Sequence, residues 1–547
     1  MKKICFIAIL FFTSLINAQT GYVEVGNQVY TFLERLNSEN IIDSYNPFEL
    51  PKSRNEISKL LEKISSKQNL LSSTDKEKLD YFLKEFSYDL LNKTTELSSF
   101  TKNGFSYLAD DKPKYLFYSS GANGSFFVNL LLGSNVILKE NNSERFASVF
   151  PYTFGGELKG DFGNNLGFML RGMNGSYYGR KDLLKNEPMF DYNYKFSQSD
   201  TLYGSSYFDH SEGYLTYQSK YADFKIARDR VNIGYGNIKT ILGNISPRLD
   251  YISANLRYKF LEFSFLHGKL LGQLSTVNGV RNVTEKYFVY HRFAFNLPLS
   301  SQFGIGETVI YSRRGIDLSY MNPFVFYKSA EHANQDRDNS MLFVDFKTTG
   351  FLPNVTIYSQ LMLDDMDFSK IGTGWYGNQT LWNVGAAFSP KFLNSDFIEL
   401  QLIRVEPYFY THRTYDNNYT NLGYPLTDNV RPNSLIYNFS YKFSLYYNLD
   451  FTFGYTYTKH GANEISLSDG SIYNVGGDIN LGHRTEDALN VQFLDGKISR
   501  ENNTSFGIIY EPFFGYRFLC KIRYISVANE SLSSKKTNIY LTFSMKM

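Results

Sequence analysis

Cysteine and tryptophan are nearly absent from this 547-residue chain, with two of each, and proline is sparse at 14. Cys5 lies in an apolar N-terminal run, so once that run is removed only Cys520 is left. One thiol makes neither an intramolecular disulfide nor a cysteine metal cluster. Beyond the first residues no stretch approaches the roughly 18 apolar residues of a spanning helix. Charge of one sign is missing too: 56 Lys and Arg stand against 54 Asp and Glu, a net +2. The phosphate backbone needs a concentrated basic patch, so no nucleic-acid partner is expected. No Gly-x-Ser-x-Gly elbow occurs, and the seven histidines are scattered. Asp364 and Asp365 adjoin, but neighbours on a strand point to opposite faces, which is wrong for a glycoside-cleaving pair. With Asp367 they offer oxygen ligands for Ca²⁺ without EF-hand spacing. The expectation is a non-enzymatic protein with no cofactor and no metal. A hydrolase using His267 and His291, both on predicted strands, ranks last.

What the chain has is aromatic residues, 48 Phe and 44 Tyr, spaced by polar ones. In 448–459, Asn448, Asp450, Thr452, Gly454, Thr456 and Thr458 alternate with Leu449, Phe451, Phe453, Tyr455 and Tyr457. Successive strand side chains point to opposite faces, so one face is wet and the other meets hydrocarbon. The last segment repeats the pattern, with Ile539, Leu541, Phe543 and Met545 on the apolar face. Residues 1–18, with Lys2, Lys3, an apolar run and Ala18 before Gln19, read as a secretory signal. An exported chain of alternating strands without a spanning helix fits the bacterial outer membrane and its lipid.

Residues 19–114 differ. Val29, Phe32, Leu33 and Leu36 have helical spacing, as do Ile57, Leu60, Leu61 and Ile64, and Leu79, Phe82, Leu83 and Phe86. Ser53-x-x-Glu56 and Thr74-x-x-Glu77 have capping-box spacing. This predicts a small periplasmic α-helical domain. From 115 to 547 every second connection is short, near 160–165, 221–222, 259–261, 298–301, 349–353, 390–394, 443–447 and 512–514. Long polar segments fall at 180–210, 231–250, 271–284, 313–339, 365–379, 411–433 and 460–502. That asymmetry predicts a transmembrane antiparallel β-barrel of about 18 strands with short periplasmic turns, mainly β overall. Residues 114–119 are read as a lead-in. Glu399 with Gln401, Asp345 with Lys347, Gln360 with Asp364, and Arg517 with Lys521 and Arg523 share faces. Lipid-facing charges cost about 2–4 kcal/mol at mid-bilayer, so these are expected to point inward. Glu307 shares parity with apolar Phe303, Ile305, Val309 and Tyr311; either a bulge re-aims it or it lies near a strand end.

The whole mature chain resembles the capsule-assembly Wzi family in its Bacteroidetes form. The likeness rests on His291-Arg292 in YHRFAF, GIGETVIYSRRGIDLSYMNPFVFYKSAEH with Glu307, Tyr320, Asn322 and Pro323, Asp345 in LFVDFK, and YSQLMLDD ending at Asp364-Asp365. FKIARDRVNIGYG, SPRLDYISANLRY, VYTFLERL and PKSRNEISKLL add to it. The resemblance implies an eighteen-stranded outer-membrane barrel with a periplasmic helical bundle, acting as a lectin for capsular or other surface polysaccharide.

Sugar binding uses aromatic faces and planar polar groups, with Arg or Lys for acidic sugars. The long loops offer Trp375 and Tyr376 in GTGWYGN; Arg313 and Arg314; Lys328, Glu331, His332 and Arg337; and Tyr408, Tyr410, His412, Arg413 and Tyr415. Each taken singly is more simply an interface aromatic or a solvated charge. Tyr320-Met321-Asn322-Pro323 reads as a turn that orients the 313–339 loop. The alternatives are a small-solute channel and an envelope scaffold whose helices dock a periplasmic protein partner.

Overall fold

The computed structural model describes residues 21–43, 45–90, 96–99, 112–121, 124–140, 146–163, 165–184, 187, 206–243, 247–277, 280–390, 395–466, 468–529 and 533–547. The signal segment and most of the 180–210 connection lie outside them. Eighteen antiparallel strands close into a barrel. In order they are β1 (Gly124–Lys139), β2 (Ala147–Phe162), β3 (Leu166–Gly179), β4 (Ser206–Gln218), β5 (Ala222–Asp229) and β6 (Leu249–Tyr258). Then come β7 (Leu261–Val277), β8 (Val280–Leu297), β9 (Ser301–Ser312), β10 (Asn339–Leu352), β11 (Val355–Leu363) and β12 (Thr380–Phe388). The set ends with β13 (Phe397–Val405), β14 (Ser434–Tyr446), β15 (Leu449–Ala462), β16 (Lys497–Tyr510), β17 (Tyr516–Asn529) and β18 (Ser533–Lys546).

Closure pairs β18 with the upper part of β1, from Asn538↔Lys139 to Lys546↔Leu131. The lower edge of β1 pairs instead with a short strand, Phe117–Gly121, which carries another, Glu96–Ser99. The expected lead-in is therefore partly a strand, and it covers an edge that would otherwise expose unpaired backbone. The short turns among the described residues fall where the loop pattern predicts them, and residues 391–394 of the expected 390–394 turn lie outside the described ones. The 271–284 segment is corrected: β7 and β8 stay paired out to Val277↔Val280, so it is a tall hairpin rather than a polar loop. Likewise β15 and β16 pair to Ala462↔Lys497, shortening the 460–502 loop. Backbone pairing continues past the bilayer because the ladder, not the lipid, satisfies those N–H and C=O groups.

At the short-turn end sit four helices, α1 (Val29–Ser38), α2 (Arg54–Ser65), α3 (Ser73–Glu85) and α4 (Ser87–Leu90). The predicted apolar stripes form one core with Phe32 tilted on Phe82 at 5.3 Å. Ser53 caps α2 by accepting from the Glu56 N–H at 3.1 Å. For α3 the cap is Ser72, two residues before the expected Thr74, because Ser72 and Asp75 bond reciprocally. Ser53→Ala is expected to loosen α2 by about 1 kcal/mol, read as faster amide exchange in its first turn.

These helices dock inside the barrel as a plug. Lys347 donates to Asn37 and to the Tyr45 carbonyl, both at 2.6 Å, and Ser38 meets Thr356 at 2.7 Å. Lys78 pairs with Asp450 at 2.5 Å and Tyr81 donates to Glu511 at 2.9 Å. From the opposite end residues 230–243 dip into the lumen, and Asn232–Ile233 among them pairs with Glu49–Leu50 of the plug. Gly236, at φ +81°, lets that loop pass against Gln401, where a Cβ would collide. The meeting place is packed by Phe48, Tyr235, Phe288, Tyr290, Phe343 and Tyr358. This core lies against β5 to β14. The opposite wall presents Thr456, Asn503, Thr542 and Asn135, hydrogen-bonded to neighbours across the strands.

Among the predicted inward groups, Asp345, Glu399 and Gln360 face the lumen, whereas Asp364 lies just past the end of β11 near Lys328 and Glu331 of the 313–338 loop. Asp345 takes a bidentate pair from Arg292 at 2.7 and 2.8 Å, Glu399 accepts from Tyr358 at 2.7 Å, and Gln360 from Thr240 at 3.1 Å. For Glu307 neither alternative holds. It pairs in regular register between His291 and Leu342, with no bulge, and points outward.

Candidate functional site

The long loops of β9–β10, β11–β12, β13–β14 and β15–β16 knit together over the barrel mouth. Two patches result. In the first, the 313–338 and 406–433 loops are joined by Arg313 Nε to Asp416 at 2.9 Å, Asn417 to the Arg337 carbonyl at 2.6 Å, and Arg413 to the Asp336 carbonyl. The side chains of Arg313 (60% exposed), Arg337 and Arg413 stand in solvent around the buried Asp416 carboxylate. Tyr415 offers a partly exposed ring beside them. The carboxylate orients Arg313 without hiding it, so its remaining donors face outward.

In the second patch the 364–379 loop meets the 463–496 loop. Tyr376 N–H donates to the Leu489 carbonyl at 3.0 Å and Val491 N–H to that of Gly374 at 2.7 Å. The Tyr376 ring is stacked on His483, centroids 3.5 Å apart and 13° from parallel, with Tyr408 edge-on at 5.9 Å. Lys370 Nζ lies 3.9 Å from the centre of the Trp375 ring. The aromatic faces expected to meet sugar are thus already in contact with the chain's own groups: one Tyr376 face is taken by His483, and a cation sits over Trp375.

Three further expectations are corrected. Tyr410 is fully buried in the lumen core and donates to the Thr240 carbonyl, so it holds a loop rather than a ligand. Tyr408 is likewise buried, donating to the Asn474 carbonyl at 2.9 Å. Arg314 is clamped by Asp338 at 2.6 Å and Asp317 at 3.1 Å and lies over Tyr311, a bracing role. His332 is exposed next to Asp336 at the loop's flank. Tyr320, Asn322 and Pro323 do orient the 313–338 loop: Tyr320 donates to Asp338 at 2.7 Å, and the Asn322 side chain accepts from Phe324 N–H at 3.2 Å. Arg484, locked by Asp487 at 2.6 Å, and the exposed Tyr473 also belong to the mouth. Neither has a local signal in the sequence beyond lying in a long loop.

His412 joins the patches. Its Nδ1 accepts from Thr414 N–H at 2.9 Å, and its own N–H donates to Asn418 at 2.6 Å. Burial, aided by Arg413 and partly offset by Asp338, pushes the imidazole down to about 4. A depressed histidine pKa means that the unfolded loop binds the proton first. Stability is therefore lost as pH falls from about 6.5 towards 4. The 406–433 loop is expected to become protease-sensitive near pH 5 and resistant at pH 7. His412→Asn, which keeps an acceptor for Thr414 without titrating, is expected to flatten that profile.

No protein-family model matches the chain, and no curated protein matches it. Solved structures do. Wzi, an outer-membrane protein involved in group 1 capsule assembly in Escherichia coli and a carbohydrate-binding β-barrel, aligns over 96% of this chain and 99% of its own at 13% identity, TM-score 0.56. The Pseudomonas aeruginosa barrels OpdK and OccK8 align over 77% of this chain at 11% identity, with TM-scores of 0.42 and 0.44. At these identities the shared property is architecture: this chain is an 18-stranded barrel of the outer-membrane type.

Proposed function

We propose that this barrel binds a surface polysaccharide at its long-loop end and helps hold or assemble a capsule, as a member of the Wzi family. In this reading residues 1–18 direct export, and the plugged short-turn end faces the periplasm. The observation that carries it is the mouth itself: loops folded over a lumen core, with Arg313, Arg337 and Arg413 exposed on top. Exposed guanidinium forks suit carboxylate or phosphate groups on an acidic polymer. Deleting the protein is expected to leave total polysaccharide unchanged while moving it from the cells to the medium. Alanine at Arg313, Arg337 and Arg413 together is expected to weaken polymer binding roughly tenfold, since each exposed charge contributes about 0.2–1 kcal/mol. Unchanged retention in the deletion strain sinks the reading.

A second reading, a channel for a small solute, is favoured by the small polar residues lining the wall opposite the core. Steady conductance by the intact protein in a planar bilayer, with reduced solute uptake in cells lacking it, would favour that reading over the first.

A further inference from the structure

The 313–338 loop carries two short helices, α5 (Leu318–Met321) and α6 (Tyr327–Ala333). Their partners are Phe263, Phe265, Tyr287, Val289, Val309 and Tyr311. Those residues alternate along β7, β8 and β9 with Leu266, Phe288, Tyr290 and Ile310, which belong to the lumen core. Since strand faces alternate, the loop folds down the outside of the barrel wall. Its tip reaches far: Phe324 stacks at 4.9 Å on Phe263, the third residue of β7 from the short-turn end.

The polar groups of this region are closed within the chain. Glu307 accepts from the Tyr327 and Lys328 N–H groups at 2.8 and 3.0 Å, at the start of α6. His291 spans Glu307 through Nε2 and the Pro323 carbonyl through Nδ1, both at 2.9 Å, and stacks on Tyr327 at 4.2 Å. A ring nitrogen facing a carbonyl must donate, so His291 ties the Pro323 carbonyl of the loop to the Glu307 carboxylate on the wall. His267 meets the Tyr311 hydroxyl at 2.8 Å, which accepts from Asp317 N–H at 3.2 Å. Proline at the tip brings no N–H, and the Asn322 side chain accepts from the next one, that of Phe324. Irregular backbone at membrane depth is tolerated only with its polar groups satisfied in this way.

Four large apolar side chains of the loop stand exposed, Leu318 at 82%, Phe324 at 64%, Ile316 at 60% and Phe326 at 54%, with the exposed polar residues Asn322, Ser329 and His332 beside them. The four continue the lipid-facing band of Phe303 and Ile305 on β9. We infer that the 313–338 loop is a membrane-seated hairpin whose occupant is the acyl-chain layer of the surrounding lipid, entered by Ile316, Leu318, Phe324 and Phe326. An aqueous loop at this position would expose four large apolar side chains on top of the band that lipid already covers. The loop thereby ties the barrel mouth, through Arg313 and Arg337, to the depth of the bilayer.

Tryptophan fluorescence in reconstituted vesicles tests this on the full chain. Trp382 is itself half-exposed on the lipid face, so the background is Trp382→Phe. Phe324→Trp and Leu318→Trp each add one reporter at an already exposed site, so failure of one to fold leaves the other. Lipids brominated on the acyl chains are expected to at least halve the added emission, more strongly for Phe324→Trp with deep bromines, while aqueous iodide has little effect. Quenching by iodide and not by bromolipid overturns the inference in favour of a loop standing in water. Protection from both, with the protein running as a dimer, overturns it in favour of a second copy covering the loop.

Discussion

Asp345→Ala is expected to abolish stable docking of the plug, with a cost of about 3–5 kcal/mol. The carboxylate accepts two bonds from Arg292, whose guanidinium is buried and stacked at 4.2 Å over Phe48 of the plug. Without it the guanidinium keeps only the Gln302 oxygen at 2.8 Å and the more distant Glu49 carboxylate at 3.9 Å, and Tyr235 of the lumen loop loses its own bond to Asp345 at 3.2 Å. Removing one partner of a buried pair leaves a charge uncompensated, whereas removing both does not. The double change Arg292→Met with Asp345→Leu is therefore expected to recover most of the loss. The measurement is protease cleavage of the 40–50 segment together with the heat needed to unfold the barrel on a gel. Equal resistance in wild type and Asp345→Ala would show that the pair does not hold the plug.

Glu307→Ala is expected to release the 313–338 loop from the wall. The change strips an acceptor from two N–H groups and from His291, at about 1–3 kcal/mol for each donor left bare. Glu307→Gln keeps an acceptor and is expected to cost much less. Limited proteolysis within 313–338 reads the difference, and the β-sheet signal of the barrel is expected to persist in both variants. A loop as resistant in Glu307→Ala as in the wild type would show that the apolar contacts alone seat it.

How much of this was written locally follows from how far each contact reaches. The alternation in 448–459, the eight short turns and the helical stripes around Leu33, Leu61 and Leu79 are short-range patterns, and the barrel, its strand number and the plug helices follow from them. The inward direction of Asp345, Lys347 and Glu399 was legible for the same reason, since period two assigns a face without naming a partner. Thr74 misled as a cap because Ser72 and Asp75 offered the better reciprocal pair two residues earlier.

The loops obey no such period. Tyr410 bonds to Thr240, 170 residues away, and Tyr290 to Glu49, 241 away, so burial of the first and the plug contact of the second were invisible along the chain. Glu307 looked misplaced on an apolar face because its cover, the start of α6, comes twenty residues later and folds back outside the wall. By itself the sequence determined a barrel of about 18 strands preceded by a small helical domain, because strand faces and turn lengths are set by near neighbours. Only the tertiary structure decided that the plug and one long loop meet inside the lumen, that Tyr410 is buried there and Tyr376 is stacked on His483 while Arg313, Arg337 and Arg413 face out, and that one loop lies against the outer wall. Those outcomes depend on which distant surfaces meet, and side-chain packing settles that only once the barrel has closed.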